Sequence, residues 1–176
     1  MKQALLTKIY NLFNNTGFVN IGSSHDTSEF TVHSISRWWE TVSKDTFPNH
    51  SRIYTTCNSG GRNGYRWKYL LQEFSNHVGL EVEVSHFPNG TSKWNKVEHR
   101  LFYYISANCK GLPLVDVQIT VYLIGSTKTT TSLKVVCVRD DTEYELAEKV
   151  SDEDFESISI DKMPLFGAWN YRLSPI

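Results

Sequence analysis

The stretch from Arg52 to Phe87 constrains the fold most. "RIYTTC" is a run of β-branched and aromatic residues that reads as a strand. The glycine-rich turn "NSGGRNG" leads it into "YRWKYLLQEFSNHVG", a helical pattern that stops at Gly79. "LEVEVSHF" then alternates with period two, the signature of a second strand. A strand, a helix and a strand joined by short connections make a parallel pair with the helix crossing one face. The expected class is therefore α/β, with a partly parallel, mixed sheet flanked by helices.

The alternation extends in both directions. Upstream, "GFVNIG" (Gly17 to Gly22) reads as a strand, and Asp26 and Glu29 stand at capping-box spacing ahead of a helix. The apolar residues of that helix, Ile35, Trp38, Trp39 and Val42, fall at i, i+3, i+4 and i+7, and Pro48 lies beyond its end. Downstream, "HFPNGTSKWNKVEH" carries a turn at Pro88-Asn89-Gly90 and a helix start at Thr91-Ser92. The stripe Trp94, Val97, Leu101, Tyr104 and Ile105 predicts one continuous helix from Ser92. After Pro113, "LVDVQITVYLIGSTK" predicts a helix facing inward through Val115, Ile119, Tyr122 and Leu123. "SLKVVCV" and "TEYEL" predict a hairpin around Asp140-Asp141, "SDEDF" a short helix capped by Ser151, and "AWNYRL" an edge strand.

A chain of 176 residues holds one domain with a substantial core, and it contains no repeat or low-complexity tract. Its formal net charge of -1 excludes nucleic-acid binding through bulk basicity, so any such role must rest on a local patch. Cys57, Cys109 and Cys137 are far apart and odd in number, which fits free thiols and a cytoplasmic setting better than a disulfide framework. "MKQALLTKIYNLF" has neither the apolar core of a signal peptide nor the length of a membrane span, and no membrane role is expected.

Ligands of α/β sheets gather beyond the carboxyl ends of parallel strands. The turn after Cys57 and the segment after Phe87 are two such ends, so Asn58 and Glu98 are expected to be neighbours. Arg62 and Arg66 flank the turn, while Lys93, Lys96 and Arg100 surround Glu98. Together they form either a cationic rim that holds phosphates without reading bases, or ordinary solvated helix ends. Glu98 reads as a cleft carboxylate or as a surface carboxylate paired with Lys93 or Arg100. Asp26 is a helix cap or a supporting acid. The six histidines show no zinc-ligand spacing with the cysteines, Cys57 has no identifiable histidine partner, and "GGRNG" lacks the lysine of a phosphate-cradling loop.

Three blocks carry a family resemblance: "TGFVNIGSSHDTSEFTVHSISRWW", "YTTCNSGGRNGYR" and "SHFPNGTSKWNKVEHRLFYYIS", with "FGAWNYRL" as the ending. From Ile9 onward the chain resembles the Rhodopirellula-type (ISAzo-type) transposases of the DDE superfamily. That resemblance implies a ribonuclease-H-like fold in which three carboxylates hold two divalent ions, usually magnesium, against a scissile phosphate. Two ions roughly 3.5–4 Å apart would stabilise the attacking and leaving oxygens of an in-line displacement. Glu98 matches the family's third carboxylate and is the implied metal ligand. Asn58 stands where the second is an aspartate, and an amide supplies no negative charge. The first lies in the family on a strand upstream of the matched region. The expectation is a truncated catalytic domain lacking the family's first strands and unable to hold magnesium or cleave DNA, with weak backbone contacts to DNA as its remaining interaction. The alternative is a non-catalytic module that binds nucleic acid or protein. The edge of "GFVNIG" is expected to be covered by a homodimer or by the N-terminal segment.

Overall fold

The computed structural model describes residues 5–58, 64–146 and 149–176; Arg62 lies outside them. Strands β1 (Leu5–Asn11) and β2 (Thr16–Gly22) form an antiparallel hairpin. Its turn is set by Asn15, whose φ of 54° lies in the left-handed region that asparagine tolerates. The Tyr10 hydroxyl donates to Asn15 Oδ1 at 2.8 Å, and Asn15 Nδ2 donates to the Thr131 carbonyl at 2.7 Å. On its other side β2 pairs in parallel with β5 (Lys134–Asp140), giving a first sheet in the order β1-β2-β5. The N-terminal segment thus covers one edge of "GFVNIG", as one branch of the sequence expectation had it, and β5 covers the other.

The second sheet runs β3-β4-β7-β6. Here β3 (Arg52–Asn58) lies parallel to β4 (Glu81–Phe87), β7 (Asn170–Leu173) is antiparallel to β4, and β6 (Ile160–Lys162) is antiparallel to β7. Helix α2 (Tyr65–Val78) makes the crossover between β3 and β4 and ends at Gly79, whose φ of 68° needs a residue without a Cβ. The α/β class is as expected, with mixed strands flanked by helices.

Two cores flank β2, every residue of which is buried. Phe18 joins Val32, Trp38, Trp67, Leu71, Val84 and Tyr171 between α1 (Ser28–Trp38), α2 and the second sheet. Val19 and Ile21 face the opposite way, onto Leu101, Ile105 and Ile124. These last three come from a π-helical turn (Glu98–Phe102) and from α3 (Tyr103–Cys109) and α4 (Val117–Gly125). One strand thus serves both cores because successive side chains point to opposite faces. Burying a side chain the size of Phe18 contributes about 2–3 kcal/mol.

Several local expectations are corrected. The α1 cap is Thr27, whose hydroxyl accepts from Phe30 N at 3.2 Å, one position beyond Asp26. The helix expected from Ser92 is broken into a 3-10 turn (Ser92–Trp94), the π turn and α3, and Trp94 is exposed rather than on the core stripe. Helix α4 turns Ile124 inward and leaves Val115 and Tyr122 in solvent. β5 pairs with β2 instead of forming a hairpin with "TEYEL", since the fully buried β2 recruits it over a long sequence separation. β7 is an interior strand between β4 and β6. The short helix α5 (Asp152–Glu156) is capped by Ser151 as expected.

Candidate active site

The parallel register aligns Asn58 at the end of β3 with Phe87 at the end of β4. The chain beyond Phe87 folds back through the turn at Gly90 and the 3-10 turn, which returns Asn95 to the end of β3. Asn95 Nδ2 donates to Asn58 Oδ1 at 3.2 Å, while Asn95 Oδ1 accepts from Val97 N at 3.2 Å. The Asn95 carbonyl also accepts from Glu98 N at 3.2 Å. Asn58 and Glu98 are therefore gathered at one place, bordering one cavity of about 810 Å³. Asn95 was missed at the sequence level, although an asparagine that bonds the backbone two residues on is a recognisable turn signal in "KWNKVE".

Leu101 anchors the segment that carries Glu98. Its side chain is fully buried, packed against Gly17 of β2, where an added Cβ would overlap Leu101 Cδ1. Gly17 is a glycine of close approach.

Glu98 is about a third exposed, and Oε1 lies 3.6 Å from Lys8 Nζ of β1. The same ammonium sits 3.8 Å from the centroid of the Phe102 ring. The sequence suggested Lys93 or Arg100 as partners of Glu98; the carboxylate instead pairs across the fold with a lysine of the hairpin. Arg66 forms an ion pair with Glu29, tying α2 to α1, so its charge is engaged away from Glu98. Lys93, Lys96 and Arg100 are exposed and make no ion pair among the described residues, and the Lys93 carbonyl contacts His99 Nε2. Arg62 belongs to the turn outside the described residues.

Asp26 lines a different cavity, with Ser24, His25 and the segment from Glu143 to Leu146. Among the described residues, no three His, Cys, Asp or Glu side chains gather in a metal-holding group. On the cavity lining that holds Glu98, the oxygen ligands offered by Glu98, Asn58 and Asn95 are one carboxylate engaged by an ammonium and two amides bonded to each other. Hard divalent cations take anionic oxygens and release their water reluctantly, so this set does not fit a paired magnesium centre. Thiol chemistry finds no better footing at Cys137, since burial, with Cys109 adding to it, pushes its thiol up to about 12.

A second polar centre, which the sequence did not reveal, lies at the carboxyl end of β5. Asp140 is 3% exposed and accepts hydrogen bonds from Asn20 Nδ2 at 3.0 Å, Thr142 N at 3.0 Å and the Tyr144 hydroxyl at 2.8 Å. His33 Nδ1 at 3.3 Å and Arg37 at 3.9 Å complete its surroundings. Burial alone pushes this carboxyl up, but the bonds from Asn20, Thr142 and Tyr144 more than offset it and hold the group at about 2. Tyr144 is pushed up in turn by burial and by the carboxylate it serves. The centre is a satisfied buried network that ties α1, β2 and β5 together.

A family model described as the Rhodopirellula transposase DDE domain matches residues 3–175, nearly the whole chain. Comparison with curated proteins and with solved structures gave no match. No helix among the described residues is long and apolar enough to cross a membrane.

Proposed function

The chain belongs to the Rhodopirellula transposase DDE domain family, and from that premise we propose that it is a transposase-derived domain which does not by itself run metal-dependent strand cleavage. The family generally uses a divalent metal such as magnesium. One observation supports the reading above the others: the Glu98 carboxylate is engaged by Lys8 at 3.6 Å, and the lining it shares with Asn58 offers an amide bonded to Asn95 where the family has a carboxylate. Two magnesium ions carry four positive charges, against which this arrangement offers one carboxylate already facing an ammonium. The repulsion outweighs what one carboxylate returns, and no cleavage step is routed through this set.

What this chain's own residues do is hold a shape and present charge. Lys93, Lys96 and Arg100 follow one another along the segment after β4, exposed and uncompensated among the described residues, where phosphate oxygens of a nucleic-acid backbone could meet them. Contacts of that kind are salt-sensitive and indifferent to sequence. The alternative, a module that binds protein instead of DNA, predicts no such salt dependence.

Calorimetry with magnesium and manganese, beside a nicking assay on supercoiled DNA, tests the reading with the wild type, Asn58→Asp and Glu98→Gln. The wild type is expected to show no metal binding at millimolar concentrations and no nicking. Asn58→Asp is expected to bind one ion weakly at most and to stay inactive. Metal-dependent nicking by the wild type that disappears in Glu98→Gln would overturn the proposal. DNA binding that weakens with salt, and weakens further in Lys93→Ala and Lys96→Ala, would favour the nucleic-acid reading over the protein-binding one.

A further inference from the structure

Strand β5 ends the first sheet on the side away from β1. It pairs with β2 and with no other strand among the described residues. Lys134 N donates to the Asn15 carbonyl at 3.2 Å, so in this parallel pairing residues 134, 136, 138 and 140 turn their backbone groups toward β2. Val135, Cys137 and Arg139 therefore present theirs outward. The Arg139 carbonyl accepts from Arg37 at 3.0 Å and keeps a second lone pair. Side chains alternate across the sheet: Val135 and Cys137 pack on the core around Leu101 and Ile124, and Val138 on the core around Phe18. Val136 is 36% exposed. The strand has no proline, and its charges stand only at its two ends. Its middle thus lacks the devices that keep an edge strand from pairing.

We propose that the outer edge of β5 joins two copies of this chain, antiparallel about a two-fold axis at Cys137. The strand "KVVCVRD" is complementary to itself in that register. Val136 of each copy stands opposite Val138 of the other, on the same face of the joined sheet. Lys134 stands opposite Asp140, with Asp141 following, and Arg139 lies across from Val135. β-branched pairs and opposite charges placed in this way stabilise an antiparallel ladder. Cys137 meets its own copy, and the backbone groups that exchange hydrogen bonds across the axis are those that β5 turns outward, at Val135, Cys137 and Arg139. Moving the axis to Val136 or Val138 sets Lys134 or Asp140 against a valine and leaves two residues of each strand unpaired. A second copy is the occupant because an isologous contact needs one patch that fits itself, and this edge does so in both shape and charge. The inference rests on β5 alone and does not depend on the transposase reading.

Sedimentation velocity on the full chain, beside amide exchange read residue by residue by NMR, tests this. The chain is expected to pass from monomer to dimer between about 1 µM and about 100 µM, the affinity of an interface of modest size. Arg139→Pro removes one outward donor from each copy and leaves the bonds to β2 in place, so it should keep the wild-type far-UV spectrum and weaken association at least tenfold. At the upper concentration the amides of Val135 and Cys137 should exchange at least tenfold more slowly in the wild type than in this variant, whereas those of Val136 and Val138, already bonded to β2, should change little. Lys134→Glu sets like charges opposite each other and should weaken association at least threefold, which gives a separate reading if the proline variant fails to fold. A wild type that stays monomeric at about 100 µM, association that neither variant weakens, or slow exchange at Val135 and Cys137 in a monomeric sample would overturn the proposal.

Discussion

Glu98 and Asp140 are carboxylates of very different standing, although both lie close to the carboxyl ends of parallel strands. Asp140 is 3% exposed and receives three hydrogen bonds, with a guanidinium and an imidazole close by. Glu98 is about a third exposed and faces one ammonium at 3.6 Å. The contrast separates two uses of a charged group. A buried carboxylate surrounded by donors is built into the fold and is costly to disturb. A partly solvated carboxylate on one long lysine can be changed with little effect on stability, which leaves its history to be read from its position.

The widest break in the comparison should come from removing both charges in turn. Asp140→Asn is expected to lose about 3 kcal/mol in urea unfolding, because donors from Asn20 and Tyr144 and the nearby Arg37 lose the charge they face. Glu98→Gln should lose less than about 1 kcal/mol. Equal losses would abolish the distinction.

Acid should sharpen it next. The folded Asp140 carboxyl, at about 2, lies below the ordinary unfolded value of about 3.9. A depressed folded value contributes stability that is fully present above the unfolded value. That contribution is lost as pH falls through the window from about 4 to about 2. Unfolding free energy measured over this window should fall more steeply in the wild type than in Asp140→Asn, whereas Glu98→Gln should follow the wild type.

A smaller effect is expected where the Glu98 segment is anchored. Gly17→Ala forces Leu101 to give way, at a cost of about 1–2 kcal/mol, and should change the amide chemical shifts of the Glu98 turn while leaving those of Asp140 and Thr142 in place. The smallest belongs to Lys8→Met, which should stay within about 0.5 kcal/mol of the wild type and lose the sensitivity of the Glu98 region to added salt.

Much of the second sheet was legible because its signals are local. The β-branched run of β3, the amphipathic α2 with its terminal glycine, and the period-two β4 each declare themselves within one element. The placing of Asn58 and Glu98 on one cavity lining, with Asn95 bonded to Asn58, is in keeping with that parallel pairing. The hairpin strand β1 was missed because Lys8, Thr7 and Asn11 interrupt its apolar alternation, and with it was missed the lysine that meets Glu98. The inward face of α4 was misjudged because the helix is apolar on nearly every side, so its periodicity could not choose between Tyr122 and Ile124. The Asp140 centre was illegible for a different reason. Its donors come from positions 20, 37, 142 and 144, and no spacing along the chain announces that they converge.

The sequence by itself determined the class of fold, the order of the central elements and the family, through residues whose preferences act over a few positions. Only the tertiary structure decided which charges meet. Sheet register set Lys8 against Glu98 and closed Arg37, Asn20 and Tyr144 around Asp140. The physical reason is one of range. Propensity and patterning are properties of neighbouring residues, whereas the desolvation and pairing that fix the standing of a charge depend on atoms brought together from distant parts of the chain.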